Sequence, residues 1–250
     1  MFAYLRRGLA AGTAAGAGYG LFVAFVAGPL IAVAEGYEAA NEHGHAHHAH
    51  EGAATGRATV DLVAAAPDVA GGLLWGVLLG GAFGVAYYLF EPALPSRGAT
   101  RSSLLGVAGF VVASGAPWLA LPPRPPGTTW ALGTDARLAV YAGMMVAGAL
   151  ACALSLATYR RLSRAGRDVG VAAVVAACPL AALVVGAALA PPVGATTPAP
   201  ATFTLAYAGV VIVGQLGLWA ALAGGFALLS AREGPADLDG GTDADRGAPL

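Results

Sequence analysis

All five histidines of this chain, His43, His45, His47, His48 and His50, fall inside one short stretch, NEHGHAHHAHEG. Neutral imidazole ligates borderline divalent cations such as cobalt, nickel, zinc and copper. Carboxylates surround the tract. Glu35, Glu38 and Glu42 precede it, and Glu51, Asp61 and Asp68 follow, against the single base Arg57. Carboxylates raise the local cation concentration and complete a coordination sphere. The candidate metal ligands are therefore Glu35, Glu38, Glu42, His43, His45, His47, His48, His50 and Glu51. In a helical tract His43, His47 and His50 share a face. In a flexible one, His47 and His48 offer other pairings, and the sequence leaves both open. The plain alternative is a solvated loop with incidental histidines, but the gathering of every imidazole in one place argues for metal binding. A structural zinc site fits poorly, because no cysteine stands near and the spacing is loose. Loose ligand sets suit transient capture.

No other chemistry stands out. The chain has no HExxH, no GxSxG and no Cys-His pairing, so the reading is not an enzyme. All 13 basic residues are Arg. A phosphate-binding loop needs a Lys, so no ATP binding by this chain is expected, and nothing points to nucleic acid. Cys152 and Cys178 lie in apolar stretches and read as small buried hydrophobes.

The composition says what must position the histidines. Of the 250 residues, 57% are hydrophobic and only 11% are charged, and the mean hydropathy is +0.68. A soluble domain carries roughly 25% charged residues, so the class is an integral, multi-pass protein of the cell membrane. Six segments reach the ~20 apolar residues a span requires. They run over Gly8–Ala34, Ala70–Phe90, Ser102–Leu121, Leu138–Thr158, Val169–Ala190 and Thr204–Ser230. The expected fold is all-α: a bundle of about six transmembrane helices over residues 1–230, with a His/Glu-rich outer loop at 35–69. Residues 231–250 read as a disordered, acidic cytoplasmic tail. Placing the N-terminus in the cytoplasm puts ten arginines inside and three outside. That positive-inside bias makes both ends cytoplasmic and turns the His loop outward. The start, MFAYLRRG, resembles a signal peptide, but its apolar stretch is longer than the ~7–15 residues of a signal core. The first helix is therefore read as retained.

Glycines recur every four residues at Gly8, Gly12, Gly16 and Gly20, and again at Gly72, Gly76, Gly80 and Gly84. Such stripes let helix backbones approach closely in lipid, so the two helices flanking the loop are expected to pack tightly. Glu35 and Glu38 sit just off the first span, where ionisable groups tend to mark ion paths, the plain alternative being interfacial carboxylates in water. Glu91 reads as helix termination before Pro92. Pro117 frees a backbone carbonyl in the third span, and such a carbonyl can line a cavity. Trp118 and Trp130 read as interface anchors.

In order along the chain, four stretches resemble the CbtA-type family of predicted cobalt transporter subunits. They are GPLIAVAEGYE, the loop NEHGHAHHAHEG, PWLALPPRPPG and ALGTDARLAVYAGMM. The likeness runs from Met1 to about Ala227. Where the family pattern has a Trp/Pro-containing DG turn, this chain has GAATGRATVDLV. The resemblance implies a membrane component of cobalt uptake, associated with cobalamin biosynthesis and acting beside a small single-helix partner that bears histidines. It assigns metal handling to Glu35, Glu38 and the His loop. The cargo is Co2+, with Ni2+ or Zn2+ as alternatives, and no resident cofactor is expected. The rival reading is a non-transporting membrane metal sensor or scaffold.

Overall fold

A computed structural model describes residues 1–42, 62–94 and 98–232. Six helical stretches within it are long and apolar enough to cross a membrane. The first is one rod, α1 (Phe2–Phe22), a wide π-helical turn (Val23–Ala27) and α2 (Gly28–Glu42). The others are α3 (Leu62–Phe90), then α4 (Ala99–Phe110) running through a second π turn (Val111–Gly115) into α5 (Ala116–Ala120), then α6 (Thr134–Arg164), α7 (Val169–Leu189) and α8 (Ala201–Arg232). Several helices run past the segments expected from apolarity. Polar residues such as Arg6, Glu35 and Arg160 still make helix backbone bonds once the rod leaves hydrocarbon.

The two π turns share a cause. Each is followed by an X-Pro pair, Gly28-Pro29 and Ala116-Pro117. Proline donates no N–H and its ring crowds the carbonyl four residues back. Widening the turn makes room. Gly28 N–H then reaches back five residues to the Val23 carbonyl, and Ala116 N–H to that of Val111.

The glycine stripes meet each other. α1 against α3 is the most extensive helix contact among the described residues. Gly12 faces Gly76 and Gly80, Gly16 faces Gly72 and Gly76, and Gly8 faces Gly80 and Gly84. A Cβ on Gly12 would stand 2.7 Å from Gly80 Cα, and one on Gly16 would stand 2.8 Å from Gly76 Cα. Only glycine fits a seam where backbones touch.

α1 also packs on α8, α8 on α4, and α3 touches α4. These four spans form one group. α6 and α7 pair with each other and join the group through α5 and the second π turn. The main apolar core holds Ala11, Ala15, Phe83, Tyr87, Leu218, Trp219, Leu222, Ala223 and Phe226. It lies in the half of the molecule nearer Met1 and Arg232, called here the terminal end; the opposite, loop end carries Glu35 and Glu38. α7 starts under an Asp168 cap, whose carboxylate accepts the N–H groups of Gly170 at 2.8 Å and Val171 at 3.3 Å. At the loop end a short ribbon joins two connections: β1 (Thr129–Trp130) pairs antiparallel with β2 (Ala195–Thr196).

Candidate functional site

The π turn and Pro29 do not end the first rod, and α2 continues to Glu42, the residue before His43. Glu35, Glu38 and Glu42 all lie on α2. Their spacing of three, then four residues, sets them along one side of the helix. Ala34 is buried and Tyr37 meets Phe203 of α8 edge-on, with ring centroids 5.5 Å apart. Those contacts fix how α2 is turned. Glu35 is exposed and Glu38 half-buried.

Glu38 has a neighbour that the sequence did not announce. The proline-rich turn after α5 brings Gly127 against it. A Cβ there would lie 2.9 Å from Glu38 Cδ and 3.0 Å from Oε2. Gly127 has φ +75°, a left-handed conformation that glycine adopts at no steric cost. The turn is held by Thr128 Oγ1, which donates to the Pro125 carbonyl at 2.7 Å. The connection between the third and fourth spans thus closes over the carboxylate of the first.

The remaining candidate ligands, His43, His45, His47, His48, His50 and Glu51, lie outside the described residues, as does the side chain of Glu42. Among the described residues no group of three or more His, Cys, Asp or Glu side chains is placed to hold a metal ion. The described part of the site is therefore the pair Glu35 and Glu38 on α2.

At the loop end of the third and fourth spans is an open hollow of about 320 Å3, lined by Leu121, Trp130, Thr134, Arg137, Leu138 and Tyr141. The Arg137 guanidinium lies 5.7 Å from the Trp130 ring centroid. The carbonyl that Pro117 cannot serve is that of Ala113, four residues back, and Tyr141 Oη donates to it. Of the two roles the sequence left open for this kink, lining a cavity or packing alone, the bond from α6 is on the side of packing.

Glu91 does more than end a helix. At the terminal end its carboxylate accepts Tyr4 Oη at 2.6 Å and Arg101 Nη1 at 2.9 Å. This ties together the first, second and third spans. The signal was present only as a carboxylate between two spans and an arginine ten residues on.

The model of the family described as probable cobalt transporter subunit (CbtA) matches residues 1–231, a stretch that takes in all six candidate spans. The chain belongs to the CbtA family. No curated protein and no solved structure matches it. CbtA membership and six apolar helices make it a multi-pass membrane protein of cobalt transport, and the word subunit implies a further chain.

Proposed function

We propose that this CbtA chain is the membrane subunit of a cobalt uptake transporter that captures Co2+ on its His/Glu-rich loop and passes it inward. The observation that carries the reading is the path of the first rod. It runs unbroken through its π turn and carries Glu35 and Glu38 on α2, which ends at Glu42, the residue before His43. Imidazoles capture the dication, and the carboxylates receive it at the membrane surface. Cobalt is substrate here, not a resident cofactor. Ni2+ and Zn2+ fit the same donors, since such sites follow the general affinity order of first-row metals.

The arginine distribution supports the orientation. The end that bears Arg6, Arg7, Arg101, Arg160, Arg161, Arg164, Arg167 and Arg232 faces the cytoplasm by the positive-inside rule, and the loop faces out. Retention of the first helix belongs to the same reading, since α1 supplies half of the glycine seam. The partner is a small single-helix membrane chain carrying its own histidines, which hands metal to or from the loop.

The test is radioactive cobalt uptake at nanomolar metal in a host lacking its own cobalt transport. The chain is expressed alone and with the small partner, and with the five histidines intact or changed to alanine. The expected result is uptake that falls in the histidine variant at low metal and recovers at high metal. Equal uptake at every concentration removes the capture role. Metal binding without uptake, in a correctly inserted chain, would move the reading to a sensor or scaffold.

A further inference from the structure

The hollow at the loop end of the third and fourth spans is rich in hydrogen-bond donors and holds no acid. It encloses about 320 Å3 between Leu121, Trp130, Thr134, Arg137, Leu138 and Tyr141. That is the size of a small ligand pocket, ~300–1,000 Å3. Arg137 Nη2 donates to Thr134 Oγ1 at 3.3 Å. Among the described residues Arg137 Nη1 has no partner, and Nε is buried with none. The Trp130 indole N–H and the Thr134 hydroxyl hydrogen are unused as well. Tyr141 gives its hydrogen to the Ala113 carbonyl. Asp135 stands two residues before Arg137, and residues so spaced do not face each other on a helix. Among the described residues no carboxylate forms an ion pair with Arg137. A guanidinium keeps its charge throughout the physiological pH range, so the wall of the hollow carries a positive charge that nothing there balances.

The rest of the lining is apolar. Leu138 is exposed near the start of α6, a helix apolar enough to cross the membrane. An exposed leucine there meets hydrocarbon, so the hollow opens onto lipid on that side. Trp130 stands at the end of a span, the level of the headgroups, where indoles gather. Arg124 and Arg137 alone among the described arginines lie at the loop end, against the bias that collects the others at the terminal end. A soluble anion matches the donors but not the leucines. An apolar ligand matches the leucines but leaves the guanidinium unbalanced. An anionic amphiphile matches both.

We propose that this hollow is a headgroup site for an anionic phospholipid of the loop-end leaflet. The phosphodiester oxygens accept hydrogen bonds from Arg137, Trp130 and Thr134, and the first chain carbons lie along Leu138 and Leu121. Guanidinium and phosphate suit each other because charge-assisted bonds from a planar fork are short and strong. The indole ring, 5.7 Å from the guanidinium carbon, holds that fork from the other side. The site stands whether or not the chain moves cobalt. Its place in the fold gives it a use. Leu121 closes the third span, Trp130 lies in the ribbon and Arg137 in the start of the fourth span. One lipid thus touches both ends of the connection that carries Gly127 against Glu38.

Bromine on a lipid chain quenches an indole that it touches, so Trp130 can report the occupant. The full chain is reconstituted in phosphatidylcholine vesicles. Phosphatidylglycerol or phosphatidylcholine, each brominated on the chain carbons nearest the headgroup, is then titrated in. The difference between the natural chain and Trp130→Phe isolates the Trp130 signal. Half-maximal quenching of Trp130 is expected at about tenfold less phosphatidylglycerol than phosphatidylcholine, as one charge-assisted contact would give. Arg137→Gln should abolish the preference, and Arg137→Lys should keep part of it, since an ammonium has the charge without the fork. Equal midpoints for the two lipids in the unaltered chain overturn the site without recourse to any variant. A preference that survives Arg137→Gln, in a chain of unchanged helix content, also overturns it. If that variant does not fold, the two lipids on the unaltered chain and on Arg137→Lys decide. Inorganic phosphate that displaces the lipid, where sodium chloride of equal ionic strength does not, makes this a site for a soluble anion. Displacement by the partner subunit makes it a protein contact. Either result overturns the lipid as occupant.

Discussion

The seam between α1 and α3 can be broken with a single methyl group. In Gly12→Ala the new Cβ would stand 2.7 Å from Gly80 Cα and nearer still to the Gly76 carbonyl oxygen. Carbon atoms settle at ~3.5–4.0 Å, so the helices must part by about 1 Å. At that gap each dispersive contact forfeits a quarter to a half of its well depth. The neighbours are backbone atoms of Gly76 and Gly80, which cannot swing aside as a side chain would. Overpacking of this kind costs about 1–3 kcal/mol. Alanine also favours the helix over glycine by up to ~1 kcal/mol, and Gly18→Ala isolates that gain, since nothing lies within 4 Å of its Cβ position. The expected net loss for Gly12→Ala is about 2 kcal/mol relative to Gly18→Ala, a shift of roughly 30-fold in the folded-to-unfolded ratio. Detergent-driven unfolding of the purified chain, followed by tryptophan fluorescence, measures it. Trp219, buried in the same core as Ala11 and Ala15 of α1, is a reporter there. If Gly12→Ala and Gly18→Ala unfold together, close backbone contact is not what holds these helices.

Three further outcomes are expected. Tyr141→Phe leaves the Ala113 carbonyl without its donor and should lower unfolding stability by about 0.6–2 kcal/mol, the range for hydrogen bonds between spans; an unchanged midpoint would mean another group serves the carbonyl. Asp168→Ala removes the cap of α7 and should cost ~1 kcal/mol, measured in the same assay, with Asp168→Asn nearly neutral. Metal capture should weaken as pH falls through the ordinary imidazole range, about 6.5, because a protonated ring has no lone pair to give. Cobalt uptake at nanomolar metal is then steady above about pH 7.5 and drops by about pH 5.5, and a flat profile in both the natural chain and the histidine variant would argue against imidazole ligands.

Hydropathy alone located the spans, because an apolar run of that length has one use. The fifth was expected over Val169–Ala190 and is helical over Val169–Leu189. The glycine spacing announced the seam, since a four-residue repeat of the smallest residue has a single geometric meaning on a helix. Pro117 announced a disturbed helix but not its remedy. The donor, Tyr141, is 28 residues away on another span, and no local pattern links them. Pro29 makes the same disturbance in the first span. Gln215 was visible as the lone glutamine, yet its partner Tyr19 is 196 residues distant. The ribbon of Thr129–Trp130 with Ala195–Thr196 is too short to show an alternating pattern. Glu38 was singled out for its depth, but its contact with Gly127 depends on a turn three spans' worth of folding away. The histidines that began the reading lie outside the described residues.

The rungs between α1 and α3 recur every four residues, about 6 Å of rise. Inserting one residue between Gly12 and Gly16 would rotate everything beyond it by about 100° and carry Gly16 and Gly20 off the shared face. Removing four residues would instead seat each remaining glycine on the next rung. Length changes in the first span are thus admissible only in whole steps of the ladder, and each step slides the loop end of α1 past α3. The height at which Glu35 and Glu38 stand above the seam is therefore quantised in the same steps.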